Sequence, residues 1–358
     1  MLIYFIIPFI IYFFYFLSTY LSTSKYTTLF FHTIIFFLLT ILAGFRGRGV
    51  SRDYENYLES IDIIKAGGDV IEFSEPGFKI ITNFSSFFSE SYILVFIIYA
   101  LLGVFFKYLA ILKISGLRFS YLAILIYYSN FYLFHEMTQI RIGVASGLFL
   151  LAIPDIINRN FLRFIALILA ASFFHLSILV TIPLYFLKSD SINPKFWIYL
   201  MIFNLLFYLS GLSVLDLFDQ YLSGFFGMKV DAYKSFMEEA TSNTNISLLN
   251  RFLVYLILNF FLLYNWKILS EKSIYFIFLL KVSFISLSVA FFFYDFYLFA
   301  FRFSEIFGVV QICLFPMLAL LYHEKYLSSS LVLILSLFLL FVNITLTGLL
   351  KPYNFTTF

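Results

Sequence analysis

Residues Met1–Leu21 read MLIYFIIPFIIYFFYFLSTYL, without one charged side chain. About 20 apolar residues in a helix cover the roughly 30 Å hydrocarbon core of a bilayer. No basic region precedes the stretch and no small-residue cleavage site follows it, so it reads as a first membrane span and not as a removable signal. Outward from it, similar runs fall at 29–45, 92–112, 119–134, 138–157, 161–187, 196–213, 249–266, 273–294, 303–322 and 330–350. The expected fold is therefore all-α: a polytopic integral membrane protein with about 11–12 transmembrane helices, by the length rule for spans. Residues 1–358 read as a single membrane domain without internal repeats.

Composition points the same way. Hydrophobic residues make up 62% of the chain and charged residues 12%, about half the charge of a soluble domain. Such a chain cannot cover a water-exposed surface. Cys313 is the only cysteine, which excludes an intrachain disulfide and Cys-pair metal motifs. No Walker loop, zinc motif or Asp-rich nucleotide-sugar site is present, so neither a metal, a cofactor nor a cytoplasmic nucleotide donor is expected, and no nucleic-acid partner.

Orientation follows from lysine and arginine in short loops. Lys25, Lys113, Arg118, Arg159, Arg163, Lys188, Lys195, Lys267, Lys272 and Lys325 all sit in short connections. Placing them all in the cytoplasm puts the N-terminus outside, provided 161–187 crosses twice as a tight hairpin. Its arms would be about 13 residues, below the usual minimum of about 17, so protein must surround them. Two long loops, about 46–91 and 214–248, then lie on the extracytoplasmic face. Of the 20 acidic residues, only Asp155, Asp190, Glu271 and Glu324 fall inside. A face that gathers acids, arginines and histidines is the expected place for a site.

The first long loop opens FRGRGVSRDYENY, with Arg46, Arg48 and Arg52 interleaved with Gly47 and Gly49. Guanidinium forks match phosphate oxygens, and glycine lets backbone N–H groups approach an anion. The cluster reads either as a lipid-diphosphate site or as an interfacial anchor. Asp53–Lys65 has one apolar helical face, as a surface helix would. Glu75 precedes Pro76-Gly77, a fixed carboxylate suited to a base or to orienting sugar hydroxyls. Arg141 lies inside an apolar run, at a cost on the order of 2.5–3.5 kcal/mol. It either snorkels to the interface or faces a polar interior, with Glu136 as a partner; the small residues Gly143, Ala145, Ser146 and Gly147 favour the interior. His175 sits at the hairpin apex, as hydrogen-bonded structure or as a proton carrier. Arg302 and Glu305 are three apart, an ion pair on one helix face or, for Arg302, an anion ligand. The loop 214–248, with its acids and aromatics, suits either carbohydrate or a solvated helix.

Four of these segments together resemble the EpsG-like branch of the Wzy-type polysaccharide (O-antigen) polymerases. FRGRGVSRDYENYLESI is similar to that family's loop after span two. SEPGFKIIT resembles its Glu-x-Gly-[Phe/Tyr] segment, TQIRIGVASGLFLLAI its Arg-Gln-x-[Ile/Val]-Ala helix, and ASFFHLSILV its Ala-x-x-[Phe/Ile]-His-x-Ser segment. They run over about 130 residues in the family's order. Two positions depart: Ser51-Arg52 stands where Gly-Thr is usual, and Ile142 where glutamine is. The resemblance implies a GT-C-like membrane glycosyltransferase in the bacterial inner membrane, active on the periplasmic face. Its donor and acceptor would both be undecaprenyl-diphosphate-linked oligosaccharide, joined by inverting transfer, with a chain-length regulator as a further partner. Arg46, Arg48, Arg52, Arg141 and Arg302 would hold diphosphate, and Glu75, His175 or Asp53 would take the acceptor proton. A flippase for the same lipid-linked sugars and an O-antigen ligase are the alternatives.

Overall fold

A computed structural model describes the chain apart from residues 22, 69, 71–74, 89–90, 213, 215–244, 346–349 and 357–358, and apart from the side chains of 245–250 and 297–298. Most of the loop at 214–248 therefore lies outside the described residues. Helices dominate, and among the described residues extended pairing is limited to two isolated bridges. The chain packs as two compact units, Met1–Leu187 with Gln311–Phe358, and Lys188–Val310.

In the first unit α1 (Leu2–Tyr20) and α2 (Lys25–Gly44) are followed by α3 (Tyr54–Lys65), α4 (Pro76–Ser86) and α5 (Ile93–Ser115). α2 starts where the Ser24 hydroxyl accepts the Thr27 N–H, one of the donors a helix start leaves free. α6 (Ser120–Tyr127) runs into a π-helical turn, Tyr128–Tyr132. After a tight turn comes α7 (Ile140–Ile157), which packs closely on α5. The contact is close because of a glycine: a methyl group on Gly147 would lie 3.0 Å from the Phe106 Cβ and 3.2 Å from the Lys107 backbone nitrogen. α8 (Phe161–Ser172) ends at the Phe173–His175 break, and a 3₁₀ segment, Leu176–Phe186, runs back along it. The return is fastened at its base. Arg159 donates to the Tyr185 carbonyl at 2.7 Å, and the Tyr185 hydroxyl donates to the Arg159 carbonyl at 2.8 Å. The Lys325–Thr345 helix completes this unit; its Asn343 donates to the Ser129 carbonyl in the π turn at 2.8 Å, taking up a carbonyl that the wider turn displaces.

A strap, Leu350–Thr356, joins distant sequence. Gly47 N–H donates to the Asn354 carbonyl at 2.9 Å, Lys351 N–H to Val50 at 3.0 Å, and Thr356 N–H to Phe45 at 3.0 Å. The strap thereby pairs with the whole Phe45–Ser51 loop.

The second unit contains α9 (Pro194–Leu209), α10 (Asn245–Tyr264), α11 (Trp266–Lys272), α12 (Phe276–Phe292) and α13 (Tyr297–Gly308). α12 is its centre and packs against α9, α10 and α13.

Among the described residues, five helices are long and apolar enough to cross a membrane, or seven when two bent pairs are each taken as one span. The protein is an all-α, polytopic membrane protein, yet the described residues hold fewer full-length spans than the 11–12 expected. The difference has a physical cause. Hydropathy measures apolar run length and is blind to breaks in hydrogen bonding: 119–134 is interrupted by the π turn, and 161–187 is divided into arms of 12 and 11 residues.

Candidate functional site

The site begins with what proline does to its neighbour. Pro76 occupies the first turn of α4, where its missing N–H costs nothing. Its ring pushes the preceding residue into extended backbone, and Glu75 has φ −69° and ψ 131°. The Glu75 carboxylate is thereby turned off the helix. Gly77 supplies the other half: its N–H donates to the Phe173 carbonyl at 3.0 Å, and a Cβ there would lie 2.7 Å from that oxygen. Glu-Pro-Gly thus docks the start of α4 onto the apex of the 161–187 segment, two residues from His175.

Three residues from three segments meet at this joint. Glu75 Oε2 contacts Arg141 Nη1, and Glu75 Oε1 lies 3.2 Å from His175 Nδ1. Their side chains are 11%, 16% and 16% exposed, so the cluster is largely dry yet reachable. Burial raises the pKa of the Glu75 carboxyl, but the His175 hydrogen bond and the Arg141 charge outweigh it and bring it down to about 2. At neutral pH Glu75 is a carboxylate held by two donors, suited to orienting His175 and poorly suited to taking a proton itself. Tyr57 of α3 closes one side. It is buried, bonded to Arg141, and also within the fields of Arg46 and Asp53. Burial raises its pKa, so it stays a neutral phenol.

The structure pairs Arg141 with Glu75 and not with Glu136, the partner its sequence position suggested. Glu136 is taken by Lys107, whose Nζ donates to Glu136 Oε1 at 2.6 Å and to the Gly143 carbonyl at 2.5 Å. Sequence reasoning passed over Lys107. The available signal was a lysine deep in an apolar span, which needs a buried partner.

The arginines of the first loop differ among themselves. Arg46 is fully buried; its guanidinium lies 4.5 Å over the Phe96 ring and 5.7 Å from the Tyr54 ring, and Nη1 donates to the Ala43 carbonyl at 2.6 Å. Burial lowers its pKa to about 10, which leaves it cationic at neutral pH. Its donors are not presented at the surface. Arg48 and Arg52 are exposed, and Asp53, half-buried, stands at the start of α3. The Gly47 N–H, expected to approach an anion, is occupied by Asn354.

In the second unit, the Arg302–Glu305 ion pair, one of the two readings of that spacing, does not form. Glu305 turns inward to the fully buried Arg251, with Nη2 to Oε1 3.0 Å apart, and Arg302 is exposed. The buried cation takes the carboxylate because water does not compete for it there. Among the described residues no group of three or more His, Cys, Asp or Glu is placed to hold a metal.

The geometry has brought together Glu-Pro-Gly, Arg141 and His175, and the signature of one family spans nearly the whole chain, residues 29–355. The chain belongs to the EpsG family. Membership suggests a polysaccharide-polymerase-like role for this EpsG protein and agrees with its multi-pass helical architecture. No curated relative and no solved structure matches it.

Proposed function

We propose that this EpsG-family protein is a membrane glycosyltransferase that polymerises undecaprenyl-diphosphate-linked oligosaccharide repeats on the periplasmic face of the bacterial inner membrane. The Arg141–Glu75–His175 cluster carries this reading: a cation for a leaving diphosphate stands beside a carboxylate-oriented histidine. With Nδ1–H donating to Glu75, the His175 Nε2 lone pair is free to accept the proton of an acceptor hydroxyl. The acceptor oxygen bonds to the donor's anomeric carbon from the face opposite the diphosphate. The sugar–phosphate bond breaks with its electron pair passing to the diphosphate, and the anomeric centre inverts. Arg141 stabilises the charge that develops on the leaving group. Arg48 and Arg52, exposed at the loop, contact the same diphosphate, and the buried Arg46 adds positive potential through a medium that screens it weakly. Asp53 is the reserve base.

The test replaces Arg141 by Ala and by Lys in a polymerase-deleted strain, with the banding of surface polysaccharide as readout. The expected result is single-repeat product for Arg141→Ala, with normal membrane insertion, and partial polymer for Arg141→Lys, which keeps the charge without the fork. A full ladder from both variants would remove Arg141 from the mechanism.

A further inference from the structure

Two carboxylates and two cations stand near the start of α7, and the mechanism above uses only one pair. The second pair, Lys107 and Glu136, is fully buried in the first unit. Lys107 comes from α5. Its Nζ reaches Glu136, on one side of the turn that precedes α7, and the Gly143 carbonyl, on the other side. Arg141 lies between these two anchor points in sequence. A single ammonium group therefore staples both flanks of the turn from which Arg141 projects.

The surroundings are shaped for this staple. A Cβ on Gly103 would stand 3.0 Å from Glu136 Oε1, one on Gly143 would stand 2.8 Å from the His135 carbonyl oxygen, and one on Gly147 would stand 3.3 Å from the Lys107 Cγ. Three glycines open the space that a lysine and a glutamate occupy. The Ser146 hydroxyl, 3.2 Å from His135 Nδ1, donates to the same Gly143 carbonyl. A buried ion pair of this kind contributes little net stability compared with apolar residues of equal volume. Stability alone does not account for the pair, and its contacts span the turn that leads into α7.

We propose that Lys107 and Glu136 are positioning residues for Arg141: they hold the first turn of α7 so that its guanidinium meets Glu75 and the leaving diphosphate. The inference rests on the proposed role of Arg141. Displacing a reacting group by about 1 Å costs on the order of 100-fold in rate, so a small tilt of α7 is enough to be seen.

The experiment compares three variants with the unmodified full-length protein in lipid nanodiscs. Thermal unfolding and turnover of a lipid-linked repeat are both measured. Lys107→Met leaves a buried carboxylate without its cation and is expected to lower both. The double variant Lys107→Met/Glu136→Leu removes both charges; its melting temperature is expected to return to that of the unmodified protein, while kcat stays roughly 10- to 100-fold down at unchanged donor KM. Gly143→Ala keeps both charges but presses α7 away from the His135 carbonyl, and the same fall in kcat is expected. Unmodified kcat in the double variant would reduce the pair to a folding element and overturn the proposal. So would failure of both the double variant and Gly143→Ala to insert. Arg141→Ala runs alongside: if it retains full turnover, the proposed function has failed; if it is inactive while the double variant is not, only this inference has.

Discussion

His175 Nδ1 lies 3.2 Å from Glu75 Oε1, a contact made across one hundred residues of sequence. Arg141 holds the other carboxylate oxygen. Glu75 is thus the hub of the cluster, and its ionisation couples the cluster to pH.

The carboxyl titrates in the folded protein at about 2, against an ordinary value of 4.5. A lowered folded pKa gives stability that is fully present above the ordinary value and is lost as pH falls through the folded one. Thermal stability of the detergent-solubilised protein is expected to drop as pH falls from about 4.5 toward 2, and Glu75→Gln to flatten that part of the curve. Superimposable curves for the two proteins below pH 4.5 would show that Glu75 is not held by its partners.

Residues that act as a unit are not additive on removal. His175→Ala is expected to slow polymer formation by about 10²–10⁴-fold, the usual range for a lost general base. Adding Glu75→Gln to His175→Ala is then expected to cost little more, because an orienting carboxylate has nothing left to orient. A double variant far slower than His175→Ala alone would give Glu75 a role of its own.

The strap makes a packing prediction. A Cβ at Gly47 would stand 2.3 Å from the Asn354 Oδ1, so Gly47→Ala is expected to destabilise the protein by about 1–3 kcal/mol through overcrowding. Asn354→Ala removes the atom in the way and is expected to restore most of the loss in the double variant. Thermal unfolding of the four proteins reads this directly, and absence of any rescue would separate the loop from the strap.

In the second unit the Arg251–Glu305 pair is buried on both sides. Removing one partner leaves an uncompensated buried charge, at roughly 3–5 kcal/mol. Glu305→Leu alone is expected to unfold at markedly lower temperature, and Glu305→Leu/Arg251→Met to recover. Equal melting temperatures for the single variant and the unmodified protein would mean that the carboxylate is not needed to neutralise Arg251.

What was legible in the sequence was what depends on local order. The uncharged run of Met1–Leu21 and its successors announced membrane helices because hydropathy is a sum over neighbours. Glu-Pro-Gly announced a fixed carboxylate because proline constrains only the residue beside it. Partner choice was not legible. Nothing near Glu136 reveals that Lys107, 29 residues earlier, claims it before Arg141 does, and nothing near Glu305 reveals Arg251. Such choices are settled by which side chains are buried together. The strap KPYNFT has neither a helical nor a strand period, and its pairing with Phe45–Ser51 is visible only in three dimensions.

That pairing also sets a timetable. The Thr356 hydroxyl donates to the Arg46 carbonyl across 310 residues, and contacts so distant in sequence form late, after the entropy of closing the intervening chain has been met. The arginine loop therefore waits, unfinished, while the helices between are threaded into the bilayer. Competence at this loop arrives only once residues 350–356 have been synthesised, so a ribosome-bound or truncated chain lacks its finished form.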